Sequence, residues 1–336
     1  MKKVLCILLS ILFVILAAAA IVPPLSSLNT TKSPSFGAYK HVFIVGVDGG
    51  GQFFKDMDMP NFKRIFADGA VKYNVRTEVL SDSGPNWASM LLGVSYFKHY
   101  IHNGNSGEVE RTSDSNNPSV YRVIREARPQ ATLVSFGNWN NINYGIIEND
   151  INVNKIHIPD DKKLTDKICS YFDEGNKPEL FFVQLDLVDG AGHAFGSASK
   201  EYADAMHTAD IYIGQIYDAL ERNGLLEDGL FLVTADHGHK RTGGHGRFSK
   251  RESLTTIAAA GKTVIPGGKL DFITRDRDMA AITLFALGLK RPINMSARLP
   301  GDLFEETNGE ARSFFKDLLD GIISPVMWLV TLVTEG

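Results

Sequence analysis

Gly229-Leu-Phe-Leu-Val-Thr-Ala-Asp236-His237-Gly-His239 is an unbroken apolar run that ends in an Asp-His pair and a glycine, with Gly243-Gly-His245 shortly beyond. An apolar run without alternation, bounded by turn residues, reads as a strand buried on both faces. Such strands belong to α/β sheets, where sites form just outside the carboxyl ends. Carboxylate plus imidazole is the donor mix that suits zinc and similar divalent ions.

The same pattern recurs along the chain. His41–Val47 is a buried strand that ends in Asp48-Gly-Gly-Gly51, and strand 180–187 runs into Asp186-Leu-Val-Asp189-Gly-Ala-Gly-His193. Extended segments are expected at Val71–Val79 and Ala131–Phe136, with strands at 229–235 and Thr255–Ala260. Helices are expected at Met59–Ala70, Asn86–Leu92, Pro118–Ala127, 162–174, 200–223 and Met279–Leu287, the last closed by Gly288. The alternation predicts an α/β fold: a mostly parallel central sheet with helices on both faces.

Composition sets bounds. The chain has 336 residues, 44% of them apolar, and a formal charge of −4. It is long enough for a sizeable core. A mildly acidic protein with no basic stripe is a poor fit for stable nucleic-acid binding. Lys2 and Lys3 precede an apolar run to Val22 that includes Ala17–Ala20, which reads as a signal peptide or an N-terminal membrane anchor over residues 1–22. Both readings place the body outside the cytoplasm, secreted or held at the membrane. Residues 23–38 read as a flexible stalk, 39–310 as the catalytic domain, and 311–336 as a C-terminal helix with an apolar tail. With Cys6 in the leader, Cys169 stands alone, so no internal disulfide is expected.

The candidate chemical residues lie at the strand ends. Asp189 and His193, four apart across glycines, can converge on one ion. Asp48, Asp236, His237 and His245 complete a set too large for one zinc, but suited to two ions about 4 Å apart. Ser83, in Ser81-Asp-Ser83-Gly-Pro-Asn86-Trp87, is either an ordinary helix cap or a nucleophile at the positive end of a helix dipole. No Gly-x-Ser-x-Gly elbow surrounds it, which argues against a Ser-His-Asp hydrolase. His239 is a candidate substrate contact. Asn138, Asn140 and Asn141 could line a pocket or simply hold a loop. The polar segment 97–117 is the candidate for substrate selection.

An Asp after the first strand, a Ser before a helix, Asp-x-x-x-His, Asp-His-Gly and a later His, in that order, resemble the alkaline phosphatase superfamily. The layout over residues 40–292 is most similar to the nucleotide pyrophosphatase/phosphodiesterase branch. That resemblance implies that Asp48, Ser83, Asp236 and His237 surround one ion and that Asp189, His193 and His245 hold the other. The ions would be two divalent metals, zinc foremost, with manganese or magnesium as alternatives. It also implies that Ser83 is the nucleophile of a double displacement through a phosphoseryl intermediate, and that Asn86 donates to a phosphoryl oxygen. Trp87 stands where sulfatases of the superfamily carry arginine, which argues against formylglycine chemistry. The expected substrate is a phosphoric ester, either a small molecule or a lipid or glycan head group. A transferase using the same site, and a non-catalytic metal-binding surface protein, are the competing readings.

Overall fold

The computed structural model describes residues 33–78, 80–268, 270 and 274–307. The expected leader, most of the expected stalk and the C-terminal segment 311–336 lie outside the described residues. In chain order the elements are β1 (His41–Val47), α1 (Pro60–Ile65), β2 (Ala70–Arg76), α2 (Ser83–Leu92), α3 (Tyr96–His99), α4 (Val120–Ala127), β3 (Leu133–Gly137), β4 (Asn154–His157), α5 (Asp161–Asp173), β5 (Leu180–Leu185), α6 (Leu187–Phe195), α7 (Lys200–Arg222), β6 (Gly229–Thr234), α8 (Lys250–Ser253), β7 (Leu254–Ala260) and α9 (Asp278–Ala286). No helix among the described residues is long and apolar enough to cross a membrane.

The strands form one seven-stranded sheet in the order β2-β7-β6-β1-β5-β3-β4. The five strands from β6 to β4 are parallel, whereas β7 runs antiparallel to both β6 and β2. The sheet is therefore mixed but mostly parallel, with helices on both faces. β5 and β6 are buried at every position and β1 at all but His41, which explains their unbroken apolar sequences. Their side chains alternate between two cores. Val42, Ile44, Phe182 and Leu232 pack toward α2, α4 and α9, whereas Phe43, Val45, Phe181 and Val233 pack toward α5 and α7.

Register decides where the polar residues emerge. Val47 pairs with Leu185, and Gly46 pairs with Thr234. Three adjacent strands thus end at one level, and Asp48, Asp186 and Ala235-Asp236-His237 follow there.

Two boundaries differ from expectation near the site. α2 starts at Ser83 rather than Asn86, because Pro85 in the first turn lacks only an N–H that a helix start leaves unpaired anyway. β5 stops at Leu185 rather than at residue 187, where α6 begins. The Asp161 carboxylate accepts from the N–H groups of Asp186 (2.9 Å) and Leu187 (2.8 Å), which starts the helix from a distant part of the chain. β4 was not expected at all; it is a short edge strand, half exposed, with no apolar run to announce it.

Candidate active site

α2 is buried along its whole length, and its first residue is Ser83. The Ser83 Oγ lies 3.1 Å from His237 Nε2 and 3.4 Å from Asp48 Oδ1. Asp48, one residue beyond β1, is fixed by two donors to Oδ2: the Trp87 indole N–H (2.9 Å) and the Gln184 amide (3.0 Å). That leaves Oδ1 facing the serine. Trp87 fits because β1 carries glycine at 46; a Cβ there would lie 2.4 Å from the indole ring.

Asp48, Asp236 and His237 form one tight group, each with a ligand atom within 4.8 Å of the others'. Asp236 Oδ1 accepts from the Gly49 N–H, while its Oδ2 is buried with no hydrogen-bond partner among the described residues. His237 Nδ1 faces the Gly238 carbonyl (3.2 Å), so Nε2 presents a lone pair to Ser83, Asp48 and Asp236. A second group joins Asp189, His237, His239 and His245, again within 4.8 Å. Asp189 Oδ1 is its centre, 2.9 Å from His239 Nε2 and 3.5 Å from His245 Nε2. His245 stacks on His237 at 3.8 Å between ring centroids.

The electrostatics follow from crowding. Burial, then the neighbouring Asp189 and Asp186, pushes Asp48 well above the carboxylate range; burial, then Asp48, does the same to Asp236. Burial is also the main cause that pushes Asp186 to about 6. Burial opposes ionisation of Asp189 too, but the hydrogen bond to His239 and the surrounding imidazoles draw it down to about 2. His237 is held well below its usual range, first by burial and then by His245, and His239 is lowered mainly by burial. Lone pairs and carboxylate oxygens converging without enough donors are what a cation requires. The unpartnered Asp236 Oδ2 and the mixed Asp/His donors fit divalent metal at both groups.

Not every expected residue lands where the sequence placed it. Asp48, Ser83, Asp236 and His237 come together, as do Asp189 and His245. His193 is half exposed at the rim, 3.4 Å from Asp189 Oδ2 and 3.0 Å from His245 Nε2, outside the tight second group. His239, expected at the substrate, is fully buried inside that group, packed so closely that a Cβ at Gly192 would lie 2.3 Å from its ring. Asn86, expected to donate to a phosphoryl oxygen, is fully buried and spent on backbone: its Nδ2 donates to Leu80 O and Asp82 O, and its Oδ1 accepts from Glu78 N. Asn140 is exposed beyond β3, two strands from β1, and no hydrogen bond ties its side chain to the cluster. Asn138 instead donates to Asp161 (2.7 Å), supporting the start of α6.

Three contributors escaped the sequence reading. Gln184 and Trp87 orient Asp48, and the only signal for Gln184 is one polar residue inside the apolar run Leu-Phe-Phe-Val-Gln-Leu. Asn103 lies in the 97–117 segment. Its Oδ1 accepts from the Gly84 N–H at 2.6 Å, next to Ser83, and its Nδ2 has no protein partner among the described residues.

Comparison with known proteins identifies the family and the fold. A family model described as type I phosphodiesterase / nucleotide pyrophosphatase matches residues 42–265. GPI ethanolamine phosphate transferase 1 of Emericella nidulans is 27% identical over 178 residues, which are 43% of this chain and 19% of that protein. The chain matches only 14 to 19% of the length of such curated relatives. Among solved structures, murine ectonucleotide pyrophosphatase / phosphodiesterase 5 superposes with a TM-score of 0.61 at 13% identity, covering 76% of this chain and 97% of that one. The lipoteichoic acid synthase LtaP from Listeria monocytogenes gives 0.59 at 14% identity, covering 82% and 78%. At these identities the structural likeness speaks for the fold.

Proposed function

The chain belongs to the type I phosphodiesterase / nucleotide pyrophosphatase family of the alkaline phosphatase superfamily, and from that premise we propose that it cleaves phosphoric esters with Ser83 as nucleophile. The observation that carries this reading is the position of Ser83 Oγ. It sits at the first turn of a buried helix and touches both Asp48 and His237, beside a carboxylate oxygen that has no hydrogen-bond partner among the described residues.

Asp48, Asp236 and His237 would hold one divalent cation and Asp189, His239 and His245 the other, with His193 at the rim. Mixed carboxylate and imidazole donors suit zinc, and the carboxylate-rich Asp48 group also suits manganese or magnesium. Such ions, when bound, act as Lewis acids on phosphoryl oxygens and lower the pKa of coordinated hydroxyls. The chain's own residues do the rest. The α2 amino terminus favours negative charge at Ser83, and Trp87 and Gln184 keep Asp48 Oδ1 turned to the hydroxyl. Asn103, rather than Asn86, has free amide hydrogens to offer a phosphoryl oxygen. Ser83 Oγ bonds to phosphorus as the ester oxygen leaves, and an incoming hydroxyl oxygen then takes phosphorus and returns Oγ.

Water as that second acceptor gives a hydrolase. An alcohol gives a phosphoryl or head-group transferase, the reading favoured by the transferase relatives. The body would work outside the cytoplasm, delivered or anchored by the basic and apolar first residues. The test is turnover of bis(4-nitrophenyl) phosphate and of 4-nitrophenyl phosphate with added zinc or manganese, with and without glycerol as acceptor. Glycerol phosphate ester formation selects the transferase and its absence the hydrolase. Ser83→Ala should abolish either activity while metal content stays the same; retained turnover refutes the nucleophile.

A further inference from the structure

Asp82 occupies the cap position before α2 with extended backbone, φ −116° and ψ 153°, yet its side chain makes no capping hydrogen bond. An aspartate at this position ordinarily caps the helix, so the missing bond calls for another partner. The carboxylate turns the other way: Oδ1 lies 3.1 Å from Nδ1 of His245, and the same nitrogen lies 2.8 Å from the Ser81 carbonyl. A carbonyl can only accept, so Nδ1 carries the proton and Nε2 the lone pair. That lone pair faces Asp189 Oδ1 and His193 Nε2. The fit is close: a Cβ on Gly246 would lie 2.8 Å from Asp82 Oδ1. Ser81 seals the arrangement, its Oγ donating to Arg247 O and accepting from the Gly246 N–H.

We propose that Asp82 is a positioning residue that fixes the His245 ring and strengthens its Nε2 as a ligand, so that neighbouring residues of one loop serve the two halves of the site: Ser83 the Asp48 side and Asp82 the Asp189 side. A carboxylate behind a ligating imidazole fixes the ring's tautomer and raises its basicity, and loss of such a partner weakens metal binding about 10- to 100-fold. The inference rests on the reading of Asp189, His239 and His245 as ligands, and the experiment separates the two.

The full chain, wild type and the variants Asp82→Ala and Asp82→Asn, is titrated with zinc against a chromophoric chelator, and bound zinc is counted. In parallel, histidine ring nitrogens are labelled and the chelator-treated proteins are examined by NMR. The wild type should show a far-downfield Nδ1 proton on His245, slow to exchange with water. In Asp82→Ala that proton should move upfield and exchange at least about tenfold faster, and the weaker zinc site should lose about 10- to 100-fold in affinity. Asp82→Asn, which keeps an acceptor oxygen without the charge, should recover part of both. Thermal unfolding of the chelator-treated variants should barely change, because no cap bond is lost. An unaltered His245 resonance together with unaltered zinc affinity in Asp82→Ala overturns the proposal. Uptake of a single zinc by the wild type refutes the two-ion site, and the ring resonance still decides the role of Asp82.

Discussion

The contact between Gly46 and Trp87 lends itself to a double-mutant cycle. Trp87 is fully buried, it donates to Asp48 Oδ2 at 2.9 Å, and its six-membered ring lies over the Gly46 Cα. Trp87→Phe removes that ring and the N–H together, leaving a cavity beside an under-solvated carboxylate. Large-to-small aromatic changes and a lost donor to a charged group together cost about 3–5 kcal/mol. Gly46→Ala places a methyl 2.4 Å from Cη2 and 2.7 Å from Cζ3, and overpacking of that kind costs about 1–3 kcal/mol. In the double variant the new methyl occupies space the indole gave up. The combined loss should therefore fall short of the sum by about 1–2 kcal/mol, within the range seen for contacting pairs. The hydrogen bond is not restored, so metal affinity should remain as low in the double variant as in Trp87→Phe. Urea unfolding of the four proteins measures the energies, and zinc titration measures the site. Additivity to within about 0.5 kcal/mol would refute the packing argument, and full recovery of zinc binding would refute the role given to the indole N–H.

Three other outcomes are expected. In chelator-treated protein, stability should fall more steeply between about pH 4 and 6 in the wild type than in Asp186→Asn: Asp186 moves from 3.8 to about 6, mainly by burial, so its folded form holds a proton that the unfolded chain has lost. His237 and His239, lowered by burial, act in the opposite sense in both proteins and drop out of the comparison. Asp186 alone contributes about 3 kcal/mol in this direction, Asp48 and Asp236 act in the same sense, and saturating zinc should flatten the slope; thermal melts across the pH range check the sign. Asn103→Ala should lower kcat by about 100- to 1,000-fold, as loss of one transition-state donor does, with only a small fall in Tm from the lost acceptor of the Gly84 N–H. Asn86→Ala should instead lower the Tm, since it strips the Leu80 and Asp82 carbonyls of their donor.

The contrast between those two asparagines shows how far sequence reading reaches. β1, β5 and β6 are legible because burial on both faces leaves an unbroken apolar run, and a charged residue directly after such a run marks a strand end. Asp48, Asp186 and Asp236 stand at such strand ends, with His237 next to Asp236. Direction is what sequence does not carry. Asn86 sits at a motif position, but its amide faces inward to the backbone of Glu78, Leu80 and Asp82, while Asn103, seventeen residues later and in no motif, reaches back to Gly84 through tertiary structure. The placement of His239 and His193 is likewise set by tertiary structure. Both lie in glycine-rich stretches, and only packing against Gly49 and Gly192 sends one into the cluster and leaves the other at the rim. The start of α6 was illegible because its cap, Asp161, is contributed by another helix.

The common level at which β5, β1 and β6 end has a consequence for how this fold can vary. Side chains alternate faces along a strand, so inserting or deleting one residue within any of the three would swing its terminal carboxylate to the opposite face and dismantle the cluster in a single genetic event. Length changes are tolerated only beyond the strand ends. Novelty in such proteins is thereby channelled into connecting segments such as 97–117, which can lengthen, shorten or change partner specificity while the acidic row stays in place.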